Sequence, residues 1–156
     1  MKKIIIMLAI AISSLTAFAG IAFGKPMAAA GEENVSSTVL NSFNKEFKGA
    51  KDVQWTNTND YYKAAFVFNG QNVNAFYQLD GGLIAMTRNI SSLELPISLQ
   101  TNLKNNYSKY WISDLFEVSN QEGTSYYITM ENADSKIVLK SSGNGRWNTY
   151  KKMAKI

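Results

Sequence analysis

The chain has 156 residues, no cysteine and no histidine, and a formal net charge of +4. Those two absences exclude Ser-His-Asp and Cys-His catalysis, disulfides, and zinc held by Cys or His. The positive charge is mostly that of the first segment: removing the residues through Lys25 takes away Lys2, Lys3 and Lys25 and no acid. Thirteen basic residues then face twelve acidic ones, which removes the main support for nucleic-acid binding, since phosphate contact needs clustered excess Lys and Arg.

Lys2 and Lys3, the apolar run Ile4 to Leu15 and the small-residue end Ala17-Phe18-Ala19 form a secretory signal peptide over residues 1–19. Ala28-Ala29-Ala30 offers a cleavage site as late as residue 30. An uncleaved anchor over Ile4 to Phe23 is the alternative, weakened by Ser13, Ser14 and Thr16. Cleavage leaves no stable membrane insertion and places the chain in the periplasm or outside the cell. Residues 20–34 read as a linker, and 35–152 as a single domain.

Val35, Val39, Phe43 and Phe47 recur every four residues after Ser36 and Ser37, and Gly49 supplies a stop. This predicts a capped amphipathic helix with one apolar stripe. The helix would lie on the sheet that follows, whose register follows from its turns. With Asn69-Gly70 as a two-residue turn, Phe66 faces Val73, Ala64 faces Ala75 and Tyr62 faces Tyr77. With Asp80-Gly81 as the next, Tyr77 faces Ile84 and Ala75 faces Met86. One face then collects Tyr62, Ala64, Phe66, Phe68, Val73, Ala75, Tyr77, Leu79, Ile84 and Met86 as core. The other carries Tyr61, Lys63, Ala65, Val67, Asn74, Phe76, Gln78 and Ala85.

After Ile90 the period becomes helical again, with Ser91 or Ser92 as cap, Pro96 in the first turn, and a stripe of Leu99, Leu103, Tyr107 and Tyr110. Ile112, Asp114, Phe116 and Val118 then alternate as a strand, as do Tyr126, Ile128 and Met130. A turn at Ala133-Asp134 sets Met130 opposite Ile137 and Ile128 opposite Leu139. Asn144-Gly145 signals a further hairpin before Trp147, whose face the turn length leaves open. Lys151, Lys152 and Lys155 read as a solvated tail.

The order is one helix and four short strands, twice, over 35–90 and 91–152. Phe47 and Tyr107 are 60 residues apart, the Tyr62 and Tyr126 strands 64, and Gly81 and Gly143 62. The fold class is therefore α+β: two tandem helix-plus-four-strand antiparallel repeats, with an old duplication behind them.

Phe43-Asn44-Lys45-Glu46-Phe47, Val53-Gln54-Trp55, Tyr62 to Phe66 with Gly70, Ala75-Phe76-Tyr77, Gly81-Gly82, Arg88-Asn89-Ile90 and Leu95-Pro96 carry a further pattern. In their order, over most of Val35 to Trp147, the chain resembles the exported PepSY-like, beta-lactamase-inhibitor-like proteins of Bacteroidetes. The resemblance implies a fold similar to the beta-lactamase inhibitor protein, with helices on one face of the sheet and the other face open. It implies no catalytic motif and no cofactor.

The sequence has no Gly-x-Ser-x-Gly elbow, and Asp60, Asp80 and Asp134 sit at turns where Asp serves the backbone. Aromatic residues are abundant, with 3 Trp, 8 Tyr and 8 Phe. Tyr61, Phe76 and Tyr127, flanked by Lys63, Gln78, Lys136 and Lys140, form a candidate binding surface, because Tyr and Trp with polar neighbours dominate interface hot spots. The expected function is non-catalytic, inhibitor-like binding of a protein or envelope component. The alternative is a periplasmic carrier holding a small apolar ligand in a helix-sheet cavity of about 300 Å3 or more.

Overall fold

The computed structural model describes residues 31–155, so the leader and most of the linker lie outside the described residues. The elements run α1 (Ser37–Glu46), β1 (Lys51–Asn57), β2 (Tyr62–Phe68), β3 (Gln71–Tyr77), β4 (Leu83–Asn89), α2 (Ile97–Asn106), β5 (Trp111–Asn120), β6 (Gly123–Glu131), β7 (Ser135–Ser141) and β8 (Asn148–Ala154). The eight strands form one antiparallel sheet in chain order, each paired with its sequence neighbour. A short 3-10 turn precedes each helix, at Glu32–Asn34 and Ser92–Glu94. No helix among the described residues is long and apolar enough to cross a membrane.

Local chemistry sets the helix ends. The Ser36 hydroxyl accepts from the Val39 N–H at 3.3 Å, and past Phe47 the chain leaves through Gly49 at φ +88°, where a side chain would be strained. Ahead of α2, Ser91 and Glu94 form a capping box around the 3-10 turn, with the Ser91 N–H donating to Glu94 at 2.7 Å. Ser91 therefore caps this turn, and Pro96 directly precedes α2.

Each helix buries its stripe on its own four strands. Val35, Val39, Phe43 and Phe47 pack on Trp55, Ala64, Phe66, Ala75 and Tyr77, while Leu95, Leu99 and Leu103 pack on Leu115, Ile128, Met130, Ile137 and Leu139. Met86 and Arg88 on β4 lie opposite Ser119 and Glu117 on β5, and Leu115 follows Glu117 at the strand period. Both helices therefore cover the same side of the sheet.

Phe43 is the hub of the first core, with ring centroids 5.4 Å from Phe47, 5.2 Å from Trp55 and 5.0 Å from Phe66. At its rim the Tyr77 hydroxyl donates to Glu46 at 3.2 Å. Burial, and then the Glu46 charge, push that phenol well above its usual range. In the second core Trp147 answers the question left by the sequence. It is buried, and its indole N–H donates to the Leu99 carbonyl at 3.2 Å.

The Asn69-Gly70 hairpin has the expected register throughout, with φ of +51° and +78° at its two turn residues. The pairs Met130–Ile137 and Ile128–Leu139 also form as expected. The Asp80-Gly81 turn differs. β3 ends at Tyr77, which pairs with Leu83 across a loop of Gln78 to Gly82, and the extra residue Ile84 forms a bulge before Ala75 meets Met86. Ile84 consequently leaves the expected core face and packs with Ala85, Phe116 and Val118. Leu79, expected in the core, sits on the loop half exposed. The loop is held against α1: a Cβ on Gly81 would lie 2.8 Å from the Thr38 methyl.

Two further expectations fail for related reasons. A register shift between Ile112 and Asp114 puts Ile112 opposite Met130 but Asp114 opposite Thr129, so Ile112 does not share a face with Phe116 and Val118. The lysine-rich end is not a solvated tail: Lys151 and Lys152 belong to β8, and the Lys155 N–H donates to the Asp134 carbonyl at 2.9 Å.

Phe43→Ala should cost about 3–5 kcal/mol of stability in urea unfolding, because three ring contacts would be replaced by a cavity. Trp147→Phe should cost about 1–3 kcal/mol, combining a lost buried hydrogen bond with a smaller ring.

Candidate functional site

The face without helices carries Lys63 and Ala65 on β2, Asn74 and Phe76 on β3, Ala85 on β4, Phe116 and Val118 on β5, Tyr127 and Thr129 on β6, and Val138 and Lys140 on β7. Ala85, Phe116, Val118, Thr129 and Val138 are buried although no helix lies above them. Burial without a covering layer means that neighbouring side chains on a curved, twisted sheet shelter one another.

An aromatic row crosses this face. Tyr61 and Phe76 have ring centroids 5.8 Å apart, and Phe76 pairs with Ala85 across β3 and β4. Ala85 belongs to the cluster of Phe116 and Val118, against which Ile84 and Tyr127 pack. Tyr127 stacks on Phe116 at 5.4 Å with an interplanar angle of 5°, and Tyr150 meets Tyr127 edge-on at 5.6 Å. Lys63 pairs with Phe76 near one end, and the Lys140 ammonium sits 5.2 Å over the Tyr127 ring near the other.

Of the six candidate residues read from the sequence, five lie on or beside this row: Tyr61, Lys63, Phe76, Tyr127 and Lys140. Gln78 falls outside β3. It opens the β3–β4 loop, where its N–H donates to the Gly82 carbonyl at 2.8 Å, so strand alternation no longer governs its direction. Sequence reasoning missed Phe116, Val118 and Tyr150. The first two were within reach, since Asn120-Gln121-Glu122-Gly123 is a turn with Asn first and Gly fourth, and its register sets Phe116 opposite Tyr127. Tyr150 gave no such signal, lying among lysines at a register shift between Val138 and Leu139.

At the far end of β6 a charged cluster closes the face. Glu131 accepts from Lys155 at 2.8 Å and from Lys136 at 3.2 Å, and the Lys155 ammonium also lies 4.8 Å over Trp111. Lys155 first, then Ser113 and Lys136, hold the Glu131 carboxyl down at about 2. Lys136, placed by the sequence beside the aromatic surface, is engaged in this pair.

Three other acids are engaged in similar ways. Glu94 and Glu117 both accept from Arg88, and Asp80 accepts from the Gly82 N–H at 3.0 Å as a turn aspartate should. The turns at Asp60 and Asp134 are instead organised by their neighbours Thr58 and Asn132. Among the described residues no three His, Cys, Asp or Glu side chains gather as metal ligands. On the helix side, a groove of about 270 Å3 opens between the halves, lined by Phe47, Phe68, Val73, Met86, Arg88 and Glu117 among others.

No family model matches the chain, and no curated protein matches it by sequence. Its fold is shared with solved Bacteroides proteins. A BLIP-like protein from Bacteroides fragilis superposes with a TM-score of 0.67 at 18% identity, covering 77% of this chain and 86% of that one. A DUF2874 family protein from Bacteroides ovatus gives 0.69 at 19%, covering 78% and 88%. A protein from Bacteroides eggerthii, provisionally described as periplasmic, gives 0.67 at 16%, covering 77% and 88%.

The Glu131 carboxyl carbon should titrate in NMR with a midpoint near 2, and Lys155→Ala should move it toward the ordinary value of 4.5. A carboxyl depressed in the folded state stabilises it above its unfolded pKa. The stability advantage of the wild type over Lys155→Ala should therefore shrink as the pH falls from 4.5 toward about 2.

Proposed function

We propose that this chain is an exported, non-catalytic binding protein that holds a protein or cell-envelope component on the open face of its sheet. The carrying observation is the aromatic row from Tyr61 and Phe76 to Tyr127 and Tyr150, on the one face that no helix covers. Partly exposed rings backed by a sheltered apolar strip suit a binding surface, because the strip fixes the rings before a partner arrives. Lys63 and Lys140 would flank the contact and orient it.

The leader over 1–19, the linker over 20–34 and the likeness to a protein provisionally described as periplasmic support a periplasmic or secreted location. The likeness to a BLIP-like protein supports binding of a protein, and leaves open whether the partner is a hydrolase. We read the two halves as an old duplication: both helices have ten residues and start 60 residues apart, each behind a 3-10 turn also 60 apart.

The carrier reading draws its support from the helix-side groove. At about 270 Å3 that groove falls just short of the roughly 300 Å3 where small-molecule sites begin, and Arg88 and Glu117 line it. The open face is the better supported of the two.

Affinity capture from the cell envelope followed by mass spectrometry tests the proposal. The mature chain should retain a partner that Phe76→Ala with Tyr127→Ala loses, while circular dichroism shows both chains folded. Equal capture by both would refute this surface.

A further inference from the structure

The aromatic row ends in a hollow of about 650 Å3 that pairwise stacking does not explain. This volume lies within the roughly 300–1,000 Å3 of small-molecule sites. Its lining is chemically specific. Ser125, Ser142 and Asn148 present hydroxyls and an amide, while Tyr127 and Tyr150 present rings. One ammonium, Lys140, and one carboxylate, Glu122, leave the lining without net charge.

Tyr150 is the unusual member. Its ring is 62% exposed, yet it is steadied edge-on by Tyr127 at an interplanar angle of 86°. It is the extra residue of a bulge in β8, where Val138 pairs with Lys151 and Leu139 with Thr149. Bulges re-aim side chains and recur beside functional sites.

An exposed ring set among hydroxyls and amides, with balanced charge, matches a ligand that has both apolar C–H faces and many hydroxyls. A phosphate-bearing ligand would ask for excess positive charge, and an apolar peptide anchor for an apolar pocket. We infer that the hollow binds a short uncharged oligosaccharide, one sugar ring stacked on Tyr150 and its hydroxyls bonded by Asn148, Ser125 and Ser142. This deepens the open-face reading by naming an envelope chemistry, and it rests on that reading.

The test is amide NMR of the mature chain with a panel of neutral trisaccharides, namely maltotriose, cellotriose, xylotriose, mannotriose and chitotriose, each up to about 10 mM. At least one should shift the amides of Ser142, Asn148, Thr149 and Tyr150. Tyr150→Ala should weaken that response about tenfold or more, Tyr150→Phe should keep it, and Leu93→Ala, exposed on the 3-10 turn before α2, should leave it unchanged. Absence of a response across the panel, or a response indifferent to Tyr150→Ala, overturns the inference. The two readings fail separately, because a chain that gives no response to any trisaccharide can still capture a partner that Phe76→Ala with Tyr127→Ala loses.

Discussion

Four residue pairs, Met86 to Asn89 against Phe116 to Ser119, hold the two helix-covered halves in one sheet. The rest of the molecule depends on that seam, because without it the uncovered face would be two separate strips. Arg88 reinforces it from the helix side. Its guanidinium forks onto Glu117 at 3.2 and 3.4 Å and reaches Gln71 at 3.1 Å and Glu94 at 3.2 Å. One side chain thus ties β3, β4, β5 and the capped turn before α2. With Arg88 29% exposed, the value of these bonds lies less in net energy than in geometry, since a fork onto a carboxylate fixes register.

The seam also explains why the open face has an apolar centre. Phe116 and Val118 sit on the strand that crosses from one half to the other, and the bulge in β4 brings Ile84 to them. The free edges of the sheet are less inviting than its face. β1 carries a register shift and Asp52 at φ +54°, and β8 carries Lys151 and Lys152, both of which discourage a further strand.

Much of this architecture was legible in the sequence, and the reasons are local. Four-residue spacing from Val35 to Phe47 and Asn69-Gly70 between alternating strands determine periodicity and register without help from the rest of the chain. What stayed hidden is tertiary. Ile84 and Tyr150 leave the expected alternation at bulges, and a bulge arises where two strands of different effective length must still meet. For β4 that length is set by a loop that has to rest on α1 through Gly81. The candidate surface was correspondingly half visible: Phe76 and Tyr127 follow from turns, whereas Gln78 falls outside β3 because a five-residue loop replaced a two-residue one.

The irregularity in β8 makes the chemistry of that end of the face depend on chain length as much as on residue type. Removing Tyr150 would return β8 to strict alternation, with Thr149 opposite Leu139 and Lys151 opposite Val138. A single-codon deletion would thus exchange the aromatic platform for an ammonium. The spacing between Trp147 and the end of β8 therefore decides what this end of the open face presents.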